Sequence, residues 1–401
     1  MKKILLITYA FSPQATPESI LSAKLFANIK GVKVDVVTID HPIPGNIDLD
    51  PSLELFIKKN FNKIYRSKLN FVFKLISVLG LKRLFPFPDY YRLLNNSIYK
   101  YIIKNIKIHN YNYIITWSQS HSIHLVGLKL KKEFKIKNWF TYFSDPWSDN
   151  PFFNKSYLGL EKILNLFNEK KVFEASKKIF CTSIETKKLF QEKYSKTIKK
   201  KIFVIPHCFE KDLYVKNPRN EKNNSKITFR YIGKFYGKRF PIILIRALKI
   251  IEKNNLKIFR KIKFEIFGVQ NFLVLLRLKL YEKYVKYLGP LSYSRSLKIM
   301  QTSDYLMVID APFKKSVFFP SKLVDYMGSK KIVIGITPNG TSKKIIKKIG
   351  GYTFDSENPY VLSSQIINLI KNKKKRKLNY KFIKQFDGNV VGQKFYKILT
   401  K

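Results

Sequence analysis

The sequence predicts an α/β protein of two doubly wound halves, two Rossmann-like domains facing across a cleft. Three observations predict it. Short apolar runs alternate with runs of helical periodicity along the whole chain. A polar tract, KNPRNEKNNSK (216–226), interrupts that alternation once, as an interdomain linker does. With 401 residues, the chain is also too long for one ordinary core.

KILLITYA (3–10) is continuously apolar, as buried parallel strands are. The loop FSPQATPES follows, then the helical pattern ILSAKLFANIK and the strand pattern VKVDVVTID (32–40). Lysines before an apolar run give the N-terminus the look of a signal peptide. The run spans only about eight residues and no small-x-small site follows, so it reads as a first strand. Residues 56–107 differ in kind, mixing lysines with Phe, Leu and Ile. Between 51 and 110 there are 12 basic and 2 acidic residues. Such a segment is either a helical layer with solvated lysines or a face that lies on an anionic membrane. Strands then recur at YNYIITWS (111–118), at NWFTYFSDPWSDN (138–150), which ends in a polar loop, and at IFCTS, with helices at HLVGLKLKKEF and 160–178, and KIFVIPHCFE (201–210) closes this half. Beyond the linker, strands are expected at ITFRYIG, KFEIFG (263–268), VKYLG (285–289), YLMVID (305–310) and KIVIGIT (331–337). KNKKKRK (371–377) reads as a solvated connection and FDGNVVGQKFYKIL (386–399) as a helix. The expected domains are 1–210, 211–385 and a helix over 386–401 that returns to the first half. No stretch of 18 apolar residues occurs, so no membrane-spanning helix is predicted.

The formal charge of +50 invites a nucleic-acid or anionic-membrane partner. Only 11 of the 77 basic residues are Arg, whereas groove readers and bidentate phosphate clamps lean on Arg. A chain rich in Lys, Asn and Ile fits drift in an A+T-rich genome better than a nucleic-acid partner. Two cysteines build neither a disulfide framework nor a zinc site, which fits a reducing, cytoplasmic location.

Four constellations carry possible chemistry. In YIGKFYGKRF (231–240), a strand ends at Gly233 and Lys234, Lys238 and Arg239 follow before a helix. Glycine lets a ligand approach the backbone, and cations with a helix N-terminus suit a diphosphate. The Walker A spacing is absent. In FFPSKLVDYMGSKK (318–331), Ser321 is placed as N-cap after Pro320, with Lys322 and Asp325 three apart on one helix face. An anion at that N-terminus and a sugar hydroxyl on Asp325 would both be served. A plain surface pair is the simpler alternative. TPNGTSKKII (337–346) offers Asn339, Gly340 and Thr341 as a second phosphate or sugar loop, or as an ordinary turn. TWSQSHSIH (116–124) and YFSDPWSDN (142–150) supply His121, His124, Ser144, Asp145, Trp147 and Asp149 after strands of the first half. Neither a zinc spacing nor a nucleophile elbow is present.

In this order, the pieces resemble a GT-B glycosyltransferase of the large retaining group typified by glycosyltransferase family 4 (group 1). The resemblance runs from KILLITYAFSPQATPES through FEASKKIFCTSIETKKLFQEKY, VIPHCFE, YIGKFYGKRF and YLGPLSYSRSLKIMQTSDYLMVI to PSKLVDYMGSKKIVIGITPNG, the most diagnostic block. It implies that the second half binds a nucleotide-sugar. Lys234 with Lys238 or Arg239 would meet the diphosphate, and Asp325 would match the ribose-binding carboxylate of the E-x7-E motif. The first carboxylate of that motif falls at Val317 and is missing. The Gly-Gly loop usual after strand one is replaced by FSPQATPES, and the usual later histidine falls near Ser144. Asp145 and His121 are therefore the acceptor-side catalytic candidates. The resemblance further implies retaining transfer with no metal or other cofactor. It implies an acceptor that is a saccharide, carried on a polyprenyl diphosphate, in cell-surface polysaccharide or lipopolysaccharide assembly of a bacterium. It also implies association with the inner face of the cell membrane. The competing readings are a basic nucleic-acid-binding protein, disfavoured by the low Arg share, and a GT-B nucleotide-sugar epimerase or hydrolase.

Overall fold

The computed structural model describes residues 1–41, 49–84, 87–150, 159–218, 226–372 and 376–401. Most of the expected linker and the centre of the tract 371–377 lie outside the described residues. The chain divides into two compact units, Met1–His207 with Gly388–Lys401, and Cys208–Asp387.

The first unit holds a seven-stranded sheet. Its strands are β1 (Lys2–Ile7), β2 (Val32–Ile39), β3 (Lys63–Ser67), β4 (Tyr113–Ser118), β5 (Trp139–Phe143), β6 (Lys178–Cys181) and β7 (Ile202–Val204). Their order is β3-β2-β1-β4-β5-β6-β7, and all pairs are parallel. β1 and β4 are apolar on both faces because helices cover both. The strand β3 falls inside the stretch expected to be helical. Its K-I-Y-R-S alternation suits a half-buried edge position, where lysine also guards against further pairing.

Helix Gly388–Thr400 belongs to this unit. Phe395 packs on Phe26 and Phe180 with ring centroids 5.7 and 4.7 Å apart. A Cβ at Gly392 would lie 2.3 Å from the Asn28 carbonyl oxygen, so only glycine permits this approach.

The second unit holds β8 (Ile227–Ile232), β9 (Ile262–Phe267), β10 (Lys286–Tyr287), β11 (Tyr305–Ile309), β12 (Ile332–Ile336) and β13 (Tyr352–Phe354). Their order is β10-β9-β8-β11-β12-β13, again all parallel. Three residues long and half-exposed, β13 carries too short an apolar run to stand out in the sequence. In both sheets the strand order reverses once, between β1 and β4 and between β8 and β11. Ligands of open parallel sheets bind outside the carboxyl ends at such reversals.

Candidate functional site

At the β8/β11 reversal the backbone turns at Gly233 with φ +145°. A Cβ there would lie 2.4 Å from Lys322 Nζ, so glycine makes the room that Lys322 occupies. Gln270 fixes this turn by donating to the Gly233 carbonyl (2.8 Å) and accepting from the Phe235 N–H (2.8 Å). Lys322 Nζ stands 3.6 Å over the Tyr231 ring. Arg239 is buried; it donates to the Tyr236 hydroxyl at 2.8 Å and lies 3.5 Å from Asp310 Oδ1. Burial and the nearby Arg239 guanidinium push the Lys322 ammonium well below its usual pKa, against the pull of Asp310. Two cations share this pocket with one carboxylate, an arrangement that an anion would relieve.

The helix carrying Lys322 spans Ser321–Gly328. Its cap position is Pro320, and no side chain caps it. Ser321 is thus the first helical residue rather than the expected N-cap, because the proline already supplies the extended backbone that a cap requires. Tyr326 ties this helix to β8 by accepting from the Ile232 N–H at 3.1 Å. Asp325 is buried; its carboxylate accepts from Tyr293 at 2.9 Å and its carbonyl from Tyr214 at 3.0 Å. Lys322 and Asp325 therefore serve different surroundings. Lys234 and Lys238 are exposed, so of the expected diphosphate cations the structure brings only Arg239 to Lys322.

The loop Asn339–Thr341 is tied to the strand-like segment at Ser316. Ser316 N–H donates to Asn339 O (2.8 Å), Thr341 N–H to Ser316 O (3.0 Å) and the Thr341 hydroxyl to Val317 O (3.0 Å). Gly340 has φ +144°, and a Cβ on it would lie 1.9 Å from Ser316 O. Asn339 itself is exposed.

At the β1/β4 reversal of the first unit a different group gathers. Glu18, in the first turn of helix Pro17–Ala27, accepts from Trp117 Nε1 (2.9 Å) and the Ser144 hydroxyl (2.6 Å). Burial raises its pKa to about 7; the nearby Asp145 adds to the rise, while the Ser144 and Trp117 hydrogen bonds oppose it. Asp145 accepts from the Gln119 amide. Asp89 accepts from the Ser122 N–H (2.9 Å) and hydroxyl (2.7 Å), and burial lifts it to about 6. The Asp145 loop is anchored by buried Glu169, which accepts from Ser148, Tyr194 and Lys193.

His121 sits within the aromatic core. Its ring stacks 5.4 Å from Trp147, its Nδ1 is 3.0 Å from the Ser118 hydroxyl, and burial lowers its pKa to about 3. His124 is buried beside it against Phe143. This is the setting of a packed, neutral imidazole rather than of an open base.

Glu18 and Asp310 went unmarked in the sequence. The TPES run, an N-cap threonine followed by an acid in the first turn, signals the first. An acid ending the apolar run YLMVID signals the second. Among the described residues no group of three His, Cys, Asp or Glu side chains is placed to hold a metal. Among them also, no helix is long and apolar enough to cross a membrane.

Neither a protein-family profile nor a curated protein matches this sequence. Solved structures do resemble it. HepE from Anabaena, in complex with UDP and glucose, superposes with TM-score 0.72 at 13% identity over 100% of both chains. Sucrose-phosphate synthase from Thermosynechococcus elongatus gives 0.70 at 15% over 100% of this chain and 98% of the other. The lipopolysaccharide outer core galactosyltransferase WaaB, in its apo form, gives 0.60 at 13% over 99% of each. The likeness shows the fold, the two-unit α/β fold named GT-B, which the sequence resemblance implied.

Proposed function

We propose that this protein is a glycosyltransferase that moves a sugar from a nucleotide-sugar to a saccharide acceptor. The observation that carries the proposal is buried Arg239 beside half-buried Lys322 at the carboxyl end of β8, with Gly233 making room for Lys322. These cations and the N-terminus of helix Ser321–Gly328 would stabilise the leaving nucleoside diphosphate, the largest electrostatic demand of the reaction. Asp325 would take the ribose hydroxyls. Asn339, Gly340 and Thr341 would complete the donor site through backbone rather than side-chain contacts, with Lys234 and Lys238 as outer cations. HepE binds UDP and UDP-glucose, so uridine conjugates are the first donors to test.

On the acceptor side, Asp145 and Glu18 would orient the attacking hydroxyl, one carboxyl donating and the other accepting near neutral pH. His121 would serve them by packing. We take the transfer to be retaining and metal-independent, the donor phosphate receiving the acceptor proton through an oxocarbenium-like transition state.

The acceptor is proposed to be lipid-linked, on the strength of one surface. Helix Phe71–Val78 and the residues after it turn Phe71, Val72, Leu75, Val78, Leu79 and Leu84 outward, while Phe73 and Ile76 face the core. Phe71 is 76% exposed, and exposed Lys68 and Lys74 lie beside the apolar face. Large apolar groups on the outer face do not fit a helical layer whose exposed side is solvated lysine. They fit a surface that enters an anionic bilayer, as in cell-surface polysaccharide or lipopolysaccharide assembly.

The test is a thermal-shift screen of wild type, Asp325→Ala and Arg239→Gln against UDP-, GDP- and ADP-sugars. A shift with one nucleotide class that both variants lose supports the donor site. Sugar release or rearrangement without an acceptor would turn the reading to a hydrolase or epimerase. A shift with nucleic acid alone would overturn it.

A further inference from the structure

The β11–β12 ladder ends with Ile309 beside Ile336, and the Asp310 N–H donates to Ile336 O at 3.2 Å. Asp310 and Thr337 thus follow side by side at the carboxyl edge. They continue the face of Val308 and Gly335, opposite the core face of Ile309 and Ile336. Both are buried, Asp310 to 7% and Thr337 to 1% exposure. Yet no hydrogen bond of ordinary geometry closes on either carboxylate oxygen of Asp310 or on the Thr337 hydroxyl among the described residues, although the Ser342 hydroxyl stands close enough to Asp310 to favour its charged form. Buried polar atoms are almost always satisfied, so three together ask for an explanation.

The ion pair with Arg239 supplies it only in part. In the same sheet Arg230 closes on Glu265 at 2.8 Å and Lys263 at 2.6 Å. Arg239 stays 3.5 Å from Asp310 and gives a hydrogen bond to Tyr236 instead. Asp310 is thus neutralised at longer range than Glu265.

We propose that Asp310 and Thr337 form the sugar-reading wall of the donor site, accepting hydrogen bonds from hydroxyls of the sugar carried on the diphosphate. This rests on the donor reading given above. When a diphosphate engages Arg239 and Lys322, Asp310 loses part of its counter-charge and needs neutral donors. Sugar hydroxyls are such donors, and they hang from the phosphate that those cations hold.

The experiment is calorimetric titration of wild type, Asp310→Asn, Asp310→Ala and Thr337→Val with UDP, GDP and ADP, and with their glucose and mannose conjugates. Melting temperatures are measured alongside. In the nucleotide class that binds, Asp310→Asn should weaken the conjugate at least about tenfold. The bare diphosphate should bind as well as before, or tighter, because a negative charge beside it has gone. Thr337→Val should weaken the conjugate about threefold. If Asp310→Asn leaves the ratio of the two affinities unchanged, the assignment is wrong and Asp310 only supports Arg239. If wild type binds no bare diphosphate, the donor site itself fails and this inference with it. Should Asp310→Ala not fold, the isosteric Asn variant and Thr337→Val still decide.

Discussion

The two sheet reversals handle charge in opposite ways. At the β1/β4 edge the groups are acids whose pKa values burial lifts toward neutrality, Glu18 to about 7 and Asp89 to about 6, with a neutral His121 behind them. At the β8/β11 edge they are cations held together, Arg239 and Lys322, with Asp310 at arm's length. In a chain of net charge +50, surface lysines say little about function. What distinguishes the two edges is which charges are buried and how incompletely each is neutralised. An edge of weak acids suits neutral hydroxyl groups, and an edge of crowded cations suits phosphate.

The contrast can be broken at several points. Arg239→Gln should lower transferase turnover by about a hundred- to a thousand-fold, as loss of a preorganised donor does, read by steady-state kinetics with a uridine-sugar. Lys322→Met should lower donor affinity as well. It should also stabilise the fold by about 1 kcal/mol in urea melts, since a half-buried, poorly neutralised ammonium disappears. Glu18→Gln tests the acid edge. The folded carboxyl keeps its proton up to about pH 7, the unfolded one only to about 4.3. The stability this proton gives is present below the lower value and lost as pH rises through the higher one. The Gln variant should lack that slope and be more stable above pH 7, by about 2 kcal/mol. His121 has the opposite sign. Its ring is neutral in the fold down to about 3, so stability is present above about 6.5 and falls as pH drops toward 3. His121→Gln should flatten that acid limb, read from urea melts between pH 7 and pH 4, and leave turnover at pH 7.5 within about threefold. The smallest effect on the fold belongs to neither edge. Phe71→Ser with Val78→Ser should change stability by less than about 0.5 kcal/mol. The same pair should weaken sedimentation with phosphatidylglycerol vesicles at salt high enough to screen the +50 charge.

Most strands were legible because buried parallel strands are written as unbroken apolar runs; KILLITYA and YLMVI need no context. The edge strand β3 was not, because an edge position is satisfied by alternation that lysine-rich sequence produces everywhere. The same lysine background hid which cations matter. Lys234, Lys238 and Arg239 are equivalent on paper, and only burial separates Arg239 from the others. Asp310 escaped because it closes an apolar run and was read as its last strand residue. Its meaning depends on Thr337, just after β12, and on Arg239, in the helical turn Gly237–Arg239 that follows β8. Glu18 escaped for a related reason: its partners Trp117 and Ser144 lie about a hundred residues away. His121 drew notice as a rare residue type, and stacking against Trp147 explains it without chemistry.

The return of helix Gly388–Thr400 to the first unit bears on how the chain is made. Phe26, Asn28 and Phe180 leave the ribosome early, and the helix that covers them follows only after all of Cys208–Asp387. At ordinary elongation rates that delay is roughly 10–40 s. For that time the first sheet carries a bare apolar groove. The interval is when chaperones would engage this protein, and a stalled or truncated transcript would leave the groove open for good.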